Sequence, residues 1–166
     1  MEKDLQIVGL RVGRETVGLP ISLVREIVRV PEITPVPNAP AHIEGVINLR
    51  GRIVAVIDLR KRFGESAPER SPKNRIVVVE IEERWVGLLV SAASEVLRIA
   101  SSEIEAPQNI FPNEEMDYVT GVGKFKGRLI IMLDLSRILR RAELQKLSEV
   151  SELASTYLDT EAPLTR

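Results

Sequence analysis

His42 is the only histidine in a chain of 166 residues, and there is no cysteine. A nucleophile–His–acid triad would have to be built on His42, yet no partner pattern surrounds it, so it reads as a surface residue near a turn. One imidazole cannot hold a metal that wants three or four ligands, and no ATP-binding glycine motif accompanies it as a phosphoacceptor. Asp58 and Asp134 are the one pair of carboxylates that invites an acid–base reading. Each, however, follows an apolar strand-like run and opens a helical one, where Asp serves as an N-cap. Nothing else in the chain supplies a nucleophile or an oxyanion donor. Gly121-Val-Gly123 with Gly127 misses the dinucleotide spacing, and no Gly-Lys-Ser or Gly-Lys-Thr occurs. Without cysteine, disulfides, thiolate zinc sites, iron–sulfur clusters and thiol nucleophiles also drop out. The expectation is a non-enzyme with no cofactor and no metal.

Segment 50–75 is basic: Arg50, Arg52, Arg60, Lys61, Arg62, Arg70, Lys73 and Arg75 stand against Asp58, Glu65 and Glu69. A nucleic-acid-binding small β-barrel is the alternative this run raises. Such surfaces interleave aromatics for base stacking, and only Phe63 is available, expected to cap a barrel core. Overall, 23 Lys and Arg face 24 Asp and Glu, a net charge of −1, whereas phosphate binding favours a cationic excess. The plainer reading is a solvated basic face with no nucleic-acid partner. The chain starts Met1-Glu2-Lys3-Asp4 without an apolar signal core, and no apolar run approaches the ~18 residues of a membrane span. A cytoplasmic protein without direct membrane insertion is expected.

The elements that must position these residues are written twice. His42-Ile-Glu-Gly-Val-Ile-Asn-Leu-Arg-Gly-Arg-Ile-Val-Ala-Val-Ile-Asp-Leu59 returns as Tyr118-Val-Thr-Gly-Val-Gly-Lys-Phe-Lys-Gly-Arg-Leu-Ile-Ile-Met-Leu-Asp-Leu135, at an offset of 121 − 45 = 76. Upstream, Val17-Gly-Leu19 returns as Val86-Gly-Leu88, and Ser22, Glu26 and Arg29 as Ser91, Glu95 and Arg98, at 87 − 18 = 69. The difference of 7 falls in the longer acidic connector of the second half, about Ser101 to Asp117. Such repetition marks a duplicated unit. In each half, apolar runs flank polar turns: Leu5 to Val12 and Thr16 to Ile21 around Gly13-Arg14-Glu15, and Ile76 to Ile81 and Trp85 to Val90 around Glu82-Glu83-Arg84. This is a hairpin pattern. Arg50-Gly51-Arg52 and Lys126-Gly127-Arg128 are the turns of a second hairpin per half, with Gly supplying the positive φ. With 19 Val, 16 Ile and 18 Leu against 6 aromatics, the core is aliphatic and strand-rich. Four or five short strands per half suit closed barrels, which leave no open edge.

Short helices are expected at Asp58 to Phe63 and Asp134 to Leu139. The second continues as an amphipathic C-terminal helix over 141–158, where Leu144, Leu147, Val150 or Ser151, and Ala154 keep helical spacing. The expected organisation is one domain over 1–159, with repeat halves 5–66 and 74–140 that can exchange strands between barrels. Ala67 to Lys73 links the halves, and 159–166 forms a flexible tail. An aliphatic barrel pair without a cofactor can still bind proteins through grooves, sheet ends and edges.

From about Gln6 to Leu147 the chain resembles the CheW family of chemotaxis coupling proteins. The most specific piece is Pro37-Asn-Ala-Pro-Ala-His-Ile-Glu-Gly-Val-Ile-Asn-Leu-Arg-Gly-Arg-Ile-Val-Ala-Val-Ile-Asp-Leu-Arg60. Val24-Arg-Glu-Ile27 and Val86-Gly-Leu-Leu-Val90 are similar to two further family segments. Ser91 stands where the family commonly has Asp, Ala93 where Val is usual, and Ala55 where Pro is frequent. The resemblance implies two intertwined SH3-like five-stranded β-barrels acting as a non-catalytic adaptor. Its implied partners are the regulatory domain of the histidine kinase CheA and the cytoplasmic tip of chemoreceptors, in membrane-associated arrays. A paralogous scaffold of a non-flagellar chemosensory pathway is the alternative within the family. Carried over by position, Arg50 in Asn48-Leu-Arg-Gly51 matches the family's functional arginine, and Glu26 the acid expected to pair with it. Ile21, Val24 and Ile27, three residues apart, would add an apolar docking wall, although a core role fits their composition equally.

Overall fold

A computed structural model describes residues 4–39, 43–63, 68–106 and 118–138. His42 and the segments expected as a C-terminal helix (141–158) and tail (159–166) lie outside the described residues. Eleven strands are described: β1 (Asp4–Val12), β2 (Glu15–Pro20), β3 (Val24–Arg29), β4 (Ile43–Leu49), β5 (Arg52–Asp58), β6 (Arg75–Ile81), β7 (Arg84–Val90), β8 (Ala92–Ala100), β9 (Ile104–Glu105), β10 (Val119–Phe125) and β11 (Arg128–Leu133). One-turn helices α1 (Leu59–Arg62) and α2 (Leu135–Ile138) follow β5 and β11, and short 3-10 turns follow β2 and β8. The chain is mainly β, as its β-branched composition requires.

The strands form two sheets, ordered β8-β1-β2-β11-β10-β9 and β3-β6-β7-β5-β4. The first hairpin of each sequence half therefore sits in the sheet built by the other half. It joins there through parallel pairs, β5 with β7 and β11 with β2. Closure is visible in the five-stranded sheet. Past β3, Thr34 exchanges two 2.9 Å hydrogen bonds with Val46 on the opposite edge strand β4, joining the two edges. In the other sheet the same closure is long enough to be a strand, β9, paired with β10 at Val122↔Glu105 and Gly123↔Ile104. That is why one sheet has six strands where five were expected, and why the start of the acidic connector is ordered strand rather than loop.

Alternation along the strands sorts the apolar side chains into three clusters. Ile47, Val54, Val56, Ile76 and Val78 fill the five-stranded sheet; Ile7, Leu97, Ile99, Ile130 and Met132 fill the other. The largest cluster takes residues from both sheets, including Leu10, Leu19, Ile57, Val77, Leu88 and Leu133. Halves of about seventy residues are marginal alone; the exchanged hairpins and this shared core make each half depend on the other. Phe63 packs against the shared core rather than capping a barrel, with its ring 5.6 Å from that of Tyr118.

Four hairpin turns hold two residues each, one shorter than the polar triplets in the sequence suggest. Arg50 (φ 52°) and Gly51 (φ 89°) turn between the paired residues Leu49 and Arg52; Lys126 (φ 49°) and Gly127 (φ 77°) do so between Phe125 and Arg128. Positive φ at both central positions is the turn whose twist matches the flanking strands. Glu82 and Glu83 adopt it without glycine, at φ 50° and 66°.

Candidate functional site

Arg50 projects from the β4–β5 turn, its side chain 70% exposed. Asn48 fixes that turn: its Oδ1 accepts a 2.7 Å hydrogen bond from the Gly51 amide. Across the barrel mouth, the Arg50 guanidinium donates through Nη1 and Nη2 to the two carboxylate oxygens of Glu26, the Nη1 bond being 3.1 Å. This two-pronged geometry is specific to arginine. The Glu26 hydrogen bond and then its charge raise the Arg50 pKa above its ordinary value, so the guanidinium stays a cation. Arg50, Glu26 and Asn48 thus form one surface unit.

The apolar wall is arranged differently from a single row. A β-bulge between Val24 and Glu26 leaves Val24 opposite Val79 and Ile27 opposite Val77, both members of the shared core. Glu26 lies opposite Val78, a member of the barrel's own core. The bulge therefore turns Val24 and Ile27 to one face and Glu26 to the other. Ile27 is 39% exposed and Val24 half-buried. Ile21, on the 3-10 turn, lines a cleft of about 420 Å³ with Leu5, Pro20 and Arg98.

Residues that the sequence did not single out complete the mouth beside Arg50. The Arg52 guanidinium lies 3.6 Å from the centroid of the Trp85 ring. The Trp85 indole N–H donates to Glu80 Oε1 at 3.1 Å, and Arg25 pairs with Glu80 Oε2. The Arg25 hydrogen bond, followed by that of Trp85, holds the Glu80 carboxyl below its usual value. One signal for this cluster existed: the repeat aligns Trp85 with Thr16 (85 − 69), so the ring belongs to one barrel alone.

The sites considered for catalysis resolve into structural work. Asp58 caps α1 by accepting from the Arg60 amide, and Asp134 accepts from the Arg137 amide at 3.3 Å. Asp58 is also 2% exposed and holds Arg60, 4% exposed, through Nε and Nη2 at 3.0 Å each. Arg60 Nη1 donates to the Glu69 carbonyl at 2.7 Å. The expectation of a solvated basic face over 50–75 is corrected at Arg60, the one buried base of that segment; Arg52 is stacked on an aromatic ring, and Arg50 and Lys61, still partly exposed, are paired with Glu26 and Glu44. A cleft of about 790 Å³ near Arg60 and Asn74 is lined by both signs of charge, with Glu32, Glu44, Lys61 and Arg70. Among the described residues no three His, Asp or Glu side chains gather as metal ligands, and no helix is long and apolar enough to cross a membrane. Ser91 is a brace, its Oγ accepting from the Gly13 amide at 2.9 Å and its carbonyl accepting from Asn74 Nδ2 at 3.0 Å.

Residues 6–143 match the CheW-like domain family. The chain belongs to that family. A chemotaxis protein CheW of Rhizobium meliloti (strain 1021) is 34% identical over 138 residues, covering 83% of this chain and 89% of the relative. A chemotaxis protein CheW of Treponema pallidum (strain Nichols) is 29% identical over 153 residues, 90% of each chain. The crystal structure of the scaffolding protein TtCheW from Thermoanaerobacter tengcongensis superposes with a TM-score of 0.76 at 37% identity, covering 85% of this chain and 96% of that one. CheW-like membership makes this chain a chemotaxis coupling adaptor rather than an enzyme.

Proposed function

We propose that the Arg50–Glu26–Asn48 unit is where this adaptor engages its partners, the regulatory domain of the kinase CheA and the cytoplasmic tip of chemoreceptors. Val24 and Ile27, on the opposite face of β3 from Glu26, and Ile21, in the cleft with Arg98, add apolar contacts separate from that unit. The reading places the protein in the cytoplasm at receptor arrays and treats 1–159 as one functional domain whose halves, 5–66 and 74–140, act together. The observation that carries it is an arginine at φ 52° whose side chain is 70% exposed. Packing has no use for a long cation there, and the turn itself favours Asn or Gly. An adaptor biases a kinase only through contacts that differ between the kinase's two states, and a fixed guanidinium fork supplies such a contact.

The test is Arg50→Ala in a reconstituted assay of receptor-coupled CheA autophosphorylation, with circular dichroism beside it. The expected outcome is loss of coupling with a native spectrum. Full coupling with Arg50 absent would sink the assignment.

A further inference from the structure

Each barrel meets the glutamate of its edge strand with a base from the facing hairpin, but the two barrels use different bases. Glu26 and Glu95 are repeat equivalents (95 − 26 = 69), as are Arg50 and Lys126 (126 − 50 = 76), and Arg52 and Arg128 (128 − 52 = 76). In the five-stranded barrel Glu26 takes Arg50 from the turn. In the six-stranded one Glu95 lies 3.6 Å from Arg128, while Lys126 sits 5.2 Å from the Phe125 ring centroid. What separates the barrels is the residue beside that base: Trp85 in one, Thr16 in the other. The indole is held by its hydrogen bond to Glu80, and Glu80 in turn by Arg25. Arg52, stacked on its face at 3.6 Å, is withdrawn from Glu26.

We infer that Trp85 is a positioning residue: by keeping Arg52 on its face it reserves Glu26 for Arg50 and so sets how Arg50 is presented. A cation prefers an aromatic face to an aliphatic side chain because the ring quadrupole attracts it, and the charge of Glu80, held on the indole N–H, draws Arg52 to the same place. The exchange of arginines stands on this geometry alone; its consequence for partner binding rests on the role proposed above for Arg50.

The test follows arginine Nε signals by NMR in the full chain. In Trp85→Leu, and in Trp85→Thr, which copies the other barrel, the Arg52 signal moves to a carboxylate-paired position and the Arg50 signal to that of a free guanidinium. Trp85→Phe, which keeps a ring, leaves Arg50 on Glu26. Arg52→Gln, a surface change, shifts the emission of Trp85, the chain's only tryptophan. Unchanged emission, or Arg50 still paired in Trp85→Leu, overturns the inference; should Trp85→Thr fail to fold, Trp85→Leu and Arg52→Gln decide. Binding to a purified cytoplasmic receptor fragment falls about tenfold in Trp85→Leu, the effect of one charge-assisted contact. Adding Arg52→Gln to that variant restores it. If the arginines exchange while binding stays constant, the role proposed for Arg50 fails and the positioning by Trp85 stands.

Discussion

Gly45 lies so close to Thr34 that a Cβ at position 45 would stand 2.2 Å from the Thr34 carbonyl oxygen. This contact is the seam that closes the five-stranded barrel, since the next residue, Val46, carries the bridge to Thr34. The seam is duplicated: a Cβ at Gly121 would stand 3.0 Å from the Glu105 carbonyl oxygen, where β9 meets β10. Gly45→Ala meets both a backbone clash and a φ of +146°, and is expected to cost about 3 kcal/mol or more, beyond ordinary overpacking. Gly51→Ala has a φ of +89° but nothing within 4 Å of its Cβ. It should cost about 1–2 kcal/mol, the penalty of left-handed backbone. Urea unfolding of both variants checks the order, and equal midpoints would refute the seam.

The Asp58–Arg60 pair makes a second prediction. Both groups are nearly inaccessible, and the guanidinium is satisfied on three sides by Asp58 and the Glu69 carbonyl. Removing one partner strands the other, so Asp58→Ala should destabilise by about 3–5 kcal/mol. The double change Asp58→Asn with Arg60→Met, which leaves no charge behind, should cost clearly less than the two single changes added together. Additive effects in a double-mutant cycle would show that the buried pair is not a unit.

The duplication, both hairpins of each half and the aspartate caps were legible in the sequence because they depend on local spacing: apolar alternation, Gly at the turns and Asp at the helix starts. The barrel seam was not. Gly45 and Gly121 recur at the repeat offset, but the carbonyls that forbid a side chain come from Thr34 and Glu105, and no local pattern announces that approach. Arg60 was misread for the same reason. Its sequence neighbours Lys61 and Arg62 suggest a wet basic stretch, and only the packing of α1 against β7 and the Glu69 carbonyl make the site dry. Arg50, Glu26 and Asn48, and the pairing of the first two, were expected from family resemblance; the two-pronged geometry of the pair and the hold of Asn48 on the turn came from the structure. Trp85 was passed over as an ordinary strand aromatic, since its importance lies in contrast with Thr16 across the repeat.

Glu80 supplies a pH dependence with a defined sign. Arg25 and Trp85 bind its ionised form and hold its folded pKa below the ordinary 4.5. The unfolded chain therefore binds the proton more readily, and the stabilisation is complete above the unfolded value and lost as pH falls through the folded one. The difference in urea midpoint between the wild type and Glu80→Gln should hold steady from neutral pH to about 5 and shrink below it. A difference that persists unchanged to about pH 2 would contradict the assignment to this carboxylate.

Arg50 occupies a backbone conformation that favours asparagine, in an Arg-Gly turn where Asn-Gly is the preferred pair. Arg50→Asn should therefore relieve the turn at φ 52° and raise the denaturation midpoint. The lost ion pair with Glu26 takes little away, because an exposed pair is screened by solvent. The same change removes the guanidinium fork, so receptor-coupled kinase activation should fall. Arg50→Lys separates the two effects further: it keeps the charge and the strained turn but replaces two-pronged pairing by a single point contact, and should lose coupling in part without gaining stability. A protein that tolerates a poor turn residue for the sake of function shows this opposition of stability and activity. Equal coupling in Arg50→Asn and wild type, or a lower midpoint in the variant, would mean that Arg50 is kept at the turn for folding rather than for its partners.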